Sequence, residues 1–245
     1  MKTNLIKSSL IAAAAVSGSG MLAGFSAMPT ASASTAYNVT GLGTLGGTNS
    51  RATSINDFGQ VVGWSDTTGN TTPHAFLYSG GTMSDLGTLG GSASYAQGIN
   101  NSGQVVGYSQ TTGNTAYHAF GYSGGTMSDL GTLGGTNSYA RGINNFGQVV
   151  GNSNTTGNNS ASHAFLYSGG TMTDLGTLLG GSGSYAYGIN DSGQVVGGGG
   201  GAGPFLYSGG SKTDLGTLGG AVSYALGINN VSVLLTPSGG NFQGV

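Results

Sequence analysis

The chain has 245 residues, of which 52 are glycine and only 5% are charged, and its formal net charge is −2. Nucleic-acid binding is disfavoured because no basic cluster is present to neutralise phosphates, and the lack of cysteine excludes disulfides and thiolate metal sites. Glycine at this frequency is common in disordered chains. However, 37% of the residues are apolar, and Val, Ile, Phe and Tyr recur at fixed places, which favours a packed fold.

The first 33 residues have the pattern of a secretory signal peptide. Lys2 and Lys7 precede an apolar stretch that starts at Leu10, and residues 31–33 (Ala-Ser-Ala) have the small-x-small form that signal peptidase accepts. We therefore predict residues 1–33 to be a cleaved signal, with no integral membrane segment in the remainder. An uncleaved anchor is the alternative, although residues 17–20 (SGSG) interrupt the apolar stretch, which is short for a spanning helix.

Five copies of one motif divide the rest of the chain. DLGTLGG begins at Asp85, Asp129 and Asp214, an extra leucine lengthens the copy at Asp174, and GLGTLGG begins at Gly41. The four aspartates are 44, 45 and 40 residues apart, a period that indicates repeated supersecondary units. The predicted units of a single domain, 34–245, are residues 49–90, 91–134, 135–179, 180–219, and 220–245 together with 35–48.

Each unit is predicted to contain four short strands in one order. In the second unit they cover residues 95–100, 103–109, 118–122 and 126–130, and Asn, Asp, Ser and Gly fill the turns between them. Links this short pair neighbouring strands antiparallel. A single such sheet is marginal alone because nothing covers its faces, so the units should stack on one another.

The sequence therefore predicts an all-β repeat protein, a β-propeller-like ring of about five four-stranded antiparallel blades with the last blade incomplete. The opening segment, residues 37–43, matches a fourth strand and is expected to complete the last sheet. In the last unit the GQVVG strand is expected to be missing, with residues 233–240 at the place of HAFLYSGG. An open β-solenoid is the alternative, since a solenoid needs no complementary ends.

The ordered motifs resemble a known family. HAF at His74, His118 and His163, together with DLGTLGG, S-x-A-x-G-I-N and GQVVG in fixed order, is similar to the HAF-repeat family of bacterial extracellular proteins over nearly all of residues 37–245. The resemblance implies export, a secreted or extracellular location in bacteria, and a β-repeat domain. It implies no particular activity.

The histidines His74, His118 and His163 are the only imidazole groups of the chain. Equivalent positions on successive blades form an arc that is too wide for one ion. The main interpretation is therefore a histidine at the start of a strand that bonds a neighbouring turn. Contact with a ligand or a metal ion is the alternative, and we assign no metal site.

The aspartates of the DLG motif recur once per unit and indicate a structural role in a turn. No unit adds a unique Ser, His and Asp constellation, which an enzyme built on repeats would need. The N-D-S-G and N-N-S-G turns lack the spacing of calcium loops and the distal bidentate acid. We predict no catalytic residue, no cofactor and no enzymatic activity.

Trp64 and Tyr108 occupy equivalent positions after VVG, where the third unit has Asn152. Aromatic rings beside amides and hydroxyls suit sugar rings, whereas tyrosines repeated in every unit suit packing between blades. We predict a secreted, non-enzymatic interaction module that binds an extracellular glycan or a surface protein, and Trp64, Tyr108 and the three HAF histidines are the candidate binding residues. The alternatives are a structural matrix or envelope component and a polysaccharide hydrolase.

Overall fold

The computed structural model describes residues 40–69, 72–177, 181–199, 202–217 and 223–237, without the side chains of residues 158–160, 202 and 235–237. The predicted signal, residues 1–33, lies outside this range, so its cleavage stays a prediction. The only helical element within it is a 3₁₀ turn at Thr112–Asn114. Nothing helical in the described part of the chain is long and apolar enough to cross a membrane.

The strands fall into five groups that correspond to the predicted units. The first unit contains β1 (Gly46–Ile55), β2 (Val61–Thr67), β3 (Pro73–Ser79) and β4 (Thr82–Asp85). The second contains β5 (Gly90–Ile99), β6 (Val105–Thr111), β7 (Tyr117–Ser123) and β8 (Thr126–Asp129). The third contains β9 (Gly134–Ile143), β10 (Val149–Thr155), β11 (Asn158–Ser168) and β12 (Thr171–Asp174). The fourth and fifth contain β13 (Tyr185–Ile189), β14 (Val195–Gly199), β15 (Ala202–Ser208), β16 (Ser211–Asp214), β17 (Ser223–Ile228) and β18 (Val233–Pro237).

Each complete unit is an antiparallel meander. Four strands are hydrogen-bonded in chain order in β1–β4, β5–β8 and β13–β16, and β10, β11 and β12 pair in the same way. Strand β9 lies beside β10 as β1 lies beside β2. The equivalent close approaches show this, since Gly151 lies against the Tyr139 carbonyl and Gly63 against the Arg51 carbonyl. The four-stranded antiparallel sheet predicted for each complete repeat is therefore confirmed.

The hydrophobic core lies between consecutive sheets. Val62 and Ala75 of the first unit pack against Ala96, Val105 and Phe120 of the second, and all five are buried. Equivalent clusters fill the next two interfaces. Burying one such phenylalanine or valine contributes about 1.5–3 kcal/mol, so each sheet is stabilised by its neighbours rather than alone.

A buried serine also ties each sheet to the preceding one. The hydroxyl of Ser94 accepts a hydrogen bond from the Ala75 amide at 2.8 Å and donates to the Gly87 carbonyl at 2.5 Å. Ser138 does the same for Ala119 in the next interface. This explains the serine of the S-x-A-x-G-I-N motif, because it satisfies a backbone donor that is buried between two units.

The first strands of all five units end at one common pocket of about 280 Å³. Its lining consists of the equivalent Ile-Asn-Asx corners: Ile55, Asn56, Asp57, Ile99, Asn100, Asn101, Ile143, Asn144, Asn145, Ile189, Asn190, Asp191, Ile228, Asn229 and Asn230. Convergence of five corners on one point is the geometry of a propeller, whereas in an open solenoid the first and fifth corners would be separated by the stack. The predicted propeller-like fold is confirmed, and the solenoid alternative is wrong.

The fifth unit differs from the sequence prediction. Ile228 pairs with Val233, just as Ile55 pairs with Val61 in the first unit. Strand β18 is therefore the second strand of its sheet and takes the place of GQVVG. The expectation that the second strand is missing, with residues 233–240 at the place of HAFLYSGG, is wrong.

A shorter turn explains this register. Residues 56–60 separate β1 from β2, whereas only residues 229–232 separate β17 from β18. The amide of Asn229 donates to the Ser232 carbonyl at 3.1 Å, and the Asn229 Oδ1 accepts the amides of Val231 and Ser232. A tight Asn-centred turn thus closes the hairpin without the usual glycine.

The opening segment has no strand within the described residues 40–44. Leu45 forms an isolated bridge with Thr67 of the first unit, just before β1 begins. The predicted completion of the last sheet by residues 37–43 therefore has no support at residues 40–43, and residues 37–39 lie outside the described range.

Candidate functional site

The three HAF histidines each bind an aspartate of their own unit. The distances between Nδ1 and Oδ2 are 2.8 Å for His74–Asp85, 2.7 Å for His118–Asp129 and 2.8 Å for His163–Asp174. Each pair bridges the third and fourth strands of one sheet, and its side chains are partly exposed. No group of three or more His, Asp or Glu side chains that could hold a metal ion occurs within the described ranges.

The aspartate of each pair also fixes the turn that follows it. Oδ1 of Asp85 accepts the Gly87 amide at 2.8 Å. In the fourth unit, where Gly203 stands at the histidine position, Asp214 keeps the same bond to the Gly216 amide at 2.8 Å. The DLG aspartate thus has a turn role that does not depend on its histidine, as the sequence indicated.

Trp64 and Tyr108 belong to one aromatic cluster that joins three units. Trp64 on β2 meets Tyr95 on β5 edge to face, with ring centroids 6.1 Å apart, and Tyr95 stacks on Tyr108 at 5.0 Å. Tyr108 contacts Tyr139 on β9 at 5.1 Å, and Tyr117 lies 5.7 Å from Tyr108 and 6.1 Å from Tyr139. These five residues are called the aromatic cluster below.

Strand register and repeat variation build this cluster. Tyr95 and Tyr108 are directly opposite each other on β5 and β6. Tyr117 is the residue immediately before the second HAF motif. All five rings are half-buried. Burial raises the pKa of Tyr95, Tyr108 and Tyr139 above the usual tyrosine value.

Both guanidinium groups of the chain border the aromatic cluster. Arg51 is paired across from Trp64 on the first sheet, and its side chain is exposed. Arg141 donates from Nε to Asn152 Oδ1 at 3.0 Å, and its charge partly opposes the effect of burial on the pKa of Tyr108. The cluster therefore combines ring faces and hydroxyls with two guanidinium groups. It also has a negative charge nearby, since the Asp66 carboxylate adds to the effect of burial that raises the pKa of Tyr95.

The same edge continues into the fourth and fifth units. The Arg141 guanidinium lies 5.4 Å from the Tyr187 ring centre, and Tyr187 contacts Tyr185 at 6.5 Å and Tyr224 at 6.2 Å. Sequence reasoning missed Arg141 and Tyr187. The available signal was variation at one motif position, which is occupied by Thr53, Gln97, Arg141, Tyr187 and Leu226.

The structure thus separates the predicted site residues into two groups. Trp64 and Tyr108 are brought together, and the repeated tyrosines Tyr95 and Tyr139 join them across the interfaces between units. The histidines are engaged in the aspartate pairs on the third and fourth strands and are not part of the aromatic cluster.

A second feature is the polar pocket at the corners. The side-chain amide of Asn101 donates to Asp57 Oδ2 at 2.7 Å, and that of Asn145 donates to Asp191 Oδ2 at 2.9 Å. Side chains of neighbouring units are therefore hydrogen-bonded to each other around the pocket. At the tips of the adjacent hairpins Phe58 and Phe146 are 74% and 76% exposed.

No protein-family model matches the chain, and no curated protein sequence matches it. Among solved structures, the fold is similar to the crystal structure of TolB from Acinetobacter baumannii, with a TM-score of 0.46 and 16% sequence identity. The match covers 68% of this chain, which spans 41% of that TolB chain.

Proposed function

We propose that this protein is a secreted, non-enzymatic binding module of the HAF-repeat type whose aromatic cluster binds an extracellular glycan. The main observation behind the proposal is that Trp64 and Tyr108, whose position varies between units, contact the partly exposed rings of Tyr95 and Tyr139, so that the cluster spans three units. The proposed export rests on the signal-like residues 1–33.

The chemistry of the aromatic cluster fits sugar rings. Half-buried aromatic rings offer apolar faces for the C–H side of a pyranose at a low cost in side-chain entropy. The tyrosine hydroxyls of the cluster, which are protonated at neutral pH, supply hydrogen bonds for sugar hydroxyls.

The two guanidinium groups favour an acidic glycan. Beyond the predicted signal the chain has three cationic side chains, and two of them, Arg51 and Arg141, flank the aromatic cluster. A guanidinium group binds a carboxylate through two parallel hydrogen bonds. We therefore expect a polysaccharide with uronic acid residues to bind more tightly than a neutral one.

The test is isothermal titration of the exported protein with polygalacturonate and with neutral dextran. Trp64→Ala should weaken polygalacturonate binding at least tenfold, which corresponds to about 1.4 kcal/mol. Phe58→Ser is the matched control, because Phe58 is an exposed aromatic residue outside the cluster and serine is the residue of the second and fourth units at that position. Binding that survives Trp64→Ala unchanged would contradict the proposal.

A structural matrix component is the second candidate function, and the exposed Phe58 and Phe146 favour it. Apolar side chains at the turn tips around one pocket can be buried in contacts between copies. This alternative predicts assembly that increases with protein concentration and is abolished by Phe58→Ser with Phe146→Ser. Sedimentation of the native protein as a monomer at all concentrations would rule it out.

A further inference from the structure

One position of the third strand differs in a single complete unit. Leu77, Leu166 and Leu206 occupy it in the first, third and fourth units, and Gly121 occupies it in the second. Leu77 packs against the core cluster between the first and second units, and Leu166 packs against the cluster between the third and fourth. The second unit therefore lacks an isobutyl group at the interface that it shares with the third.

A hollow of about 210 Å³ lies at that interface. The core cluster between the second and third units consists of Val106, Ala119, Ala140, Val149 and Phe165, with Leu130, Leu133, Ile143, Tyr167 and Met172 packed against it. Gly121 lines the hollow together with Val106, Leu130, Ile143, Val149 and Tyr167, while the exposed Ser123, Thr126 and Ser128 line its outer part.

The backbone does not require glycine at this position. Gly121 is not in the left-handed region, and a Cβ added there would lie 3.4 Å from Leu130 Cδ2, which is the movable end of a side chain. A larger residue would therefore fit with a small adjustment, and it would fill space that is otherwise left unpacked at a cost in stability.

We propose that the hollow beside Gly121 is a binding site for a small amphipathic ring molecule, such as a phenol or a cyclic alcohol. The apolar side chains of the lining match a six-membered ring, and its polar residues, Gln104 with Ser123, Thr126 and Ser128, match one polar substituent that points outward. Ligand pockets combine a largely apolar lining with a few placed polar groups. The inference is independent of glycan binding, because none of its residues belongs to the aromatic cluster.

The experiment titrates the exported protein with phenol and with cyclohexanol, followed by the chemical shifts of the valine and leucine methyl groups. The native protein should show one saturable site, with shifts at Val106, Leu130 and Val149. Gly121→Leu fills the hollow with the residue of the other units and should weaken binding at least tenfold.

Two controls complete the design. Gly121→Leu should unfold cooperatively at the native temperature or above, which shows that loss of binding is not loss of fold. Trp64→Ala should bind phenol as the native protein does. Absence of a saturable site in the native protein, or equal affinity in Gly121→Leu, would overturn the proposal.

Discussion

The corners of the units and the aromatic edge are both built largely on the first strands, yet they follow different rules. At the corners the same asparagine recurs and makes the same bonds: the side-chain amides of Asn56, Asn100 and Asn144 each donate to the corner carbonyl of the next unit at 3.0 Å. At the aromatic edge the equivalent positions after VVG hold Trp64, Tyr108, Asn152 and Gly198.

This difference separates residues that stabilise the fold from residues that can bind a ligand. A residue that recurs with the same hydrogen bonds in every unit joins each unit to the next. Its side chain is already engaged, so it does not contribute to the recognition of a ligand. A residue that changes at a fixed position does not have to be of one type for the fold, so it is available for binding where its side chain reaches the surface. Substitutions at the two kinds of position should therefore differ in their effect on stability.

Replacement of a VVG glycine should have the largest effect. A Cβ at Gly107 would lie 2.0 Å from the Tyr95 carbonyl oxygen and 2.8 Å from the Ala96 Cα, both backbone atoms that cannot move without parting β5 from β6. We expect Gly107→Ala to cost more than about 3 kcal/mol of unfolding free energy. Urea unfolding measures this, and Gly121→Ala in the same unit is the control, since its Cβ meets only a movable side chain.

Loss of a corner asparagine should rank second. The Asn100 side chain donates to Gln104 Oε1 and to the Asn144 carbonyl, and it accepts the amides of Ser102 and Gln104, all while buried. Asn100→Ala leaves several buried polar groups unpaired, so we expect a loss of about 3 kcal/mol. Ser102→Ala, in the same turn, should change stability by less than about 0.5 kcal/mol. Similar losses in the two variants would refute the structural role of the corner.

The aromatic edge should make the protein sensitive to alkali. Burial raises the pKa of Tyr95, Tyr108, Tyr139 and Tyr187 in the fold above the unfolded value of 10.0. The protonated tyrosines contribute to the free energy of unfolding in full below pH 10.0. This contribution is lost as pH rises through the folded pKa, because the unfolded state then binds fewer protons than the folded state. Stability measured by urea unfolding should therefore fall above pH 10. Tyr108→Phe should flatten this fall, and an unchanged slope would contradict it.

The smallest effect concerns Lys212, which replaces the methionine of the other complete units. Its ammonium group donates to the Gly176 carbonyl and lies 4.6 Å from the Phe205 ring centre. Burial lowers its pKa below 10.5, so between the folded and unfolded values the unfolded state binds more protons and stability rises with pH.

Lys212→Met should therefore be more stable than the native protein at neutral pH, by less than about 1 kcal/mol because the side chain is only half-buried. The difference should shrink as pH rises toward 10.5. Parallel urea unfolding curves at several pH values measure it, and a difference that is constant with pH would show that the charge is not responsible.

Most of the fold could be predicted from the sequence because the same strand and turn motifs recur in four units. The wrong prediction concerns the last unit, where these motifs are incomplete. Residues 233–237 share Leu and a following Ser-Gly-Gly with HAFLYSGG, but hairpin register depends on turn length, and the four-residue turn at 229–232 places Val233 opposite Ile228. Similarity of letters could not reveal this shift.

The candidate site was predictable only in part. Variation at a fixed position singled out Trp64 and Tyr108, but the contribution of Arg141 depends on cross-strand neighbours such as Asn152 and on a ring from the next unit. The hollow beside Gly121 likewise becomes visible only when the packing of Leu77 and Leu166 is known. The motif pattern of one unit does not reveal which side chains of the neighbouring unit it will contact.

The most direct test of the separation between fold and surface is a paired measurement on Tyr108→Asn, which gives the second unit the residue that the third unit has. Its affinity for polygalacturonate and its unfolding free energy would be measured beside those of the native protein. We predict at least a tenfold loss of affinity with a stability loss of no more than about 1.5 kcal/mol, from the lost ring contacts. Unchanged affinity, or a stability loss as large as that of Asn100→Ala, would contradict the account.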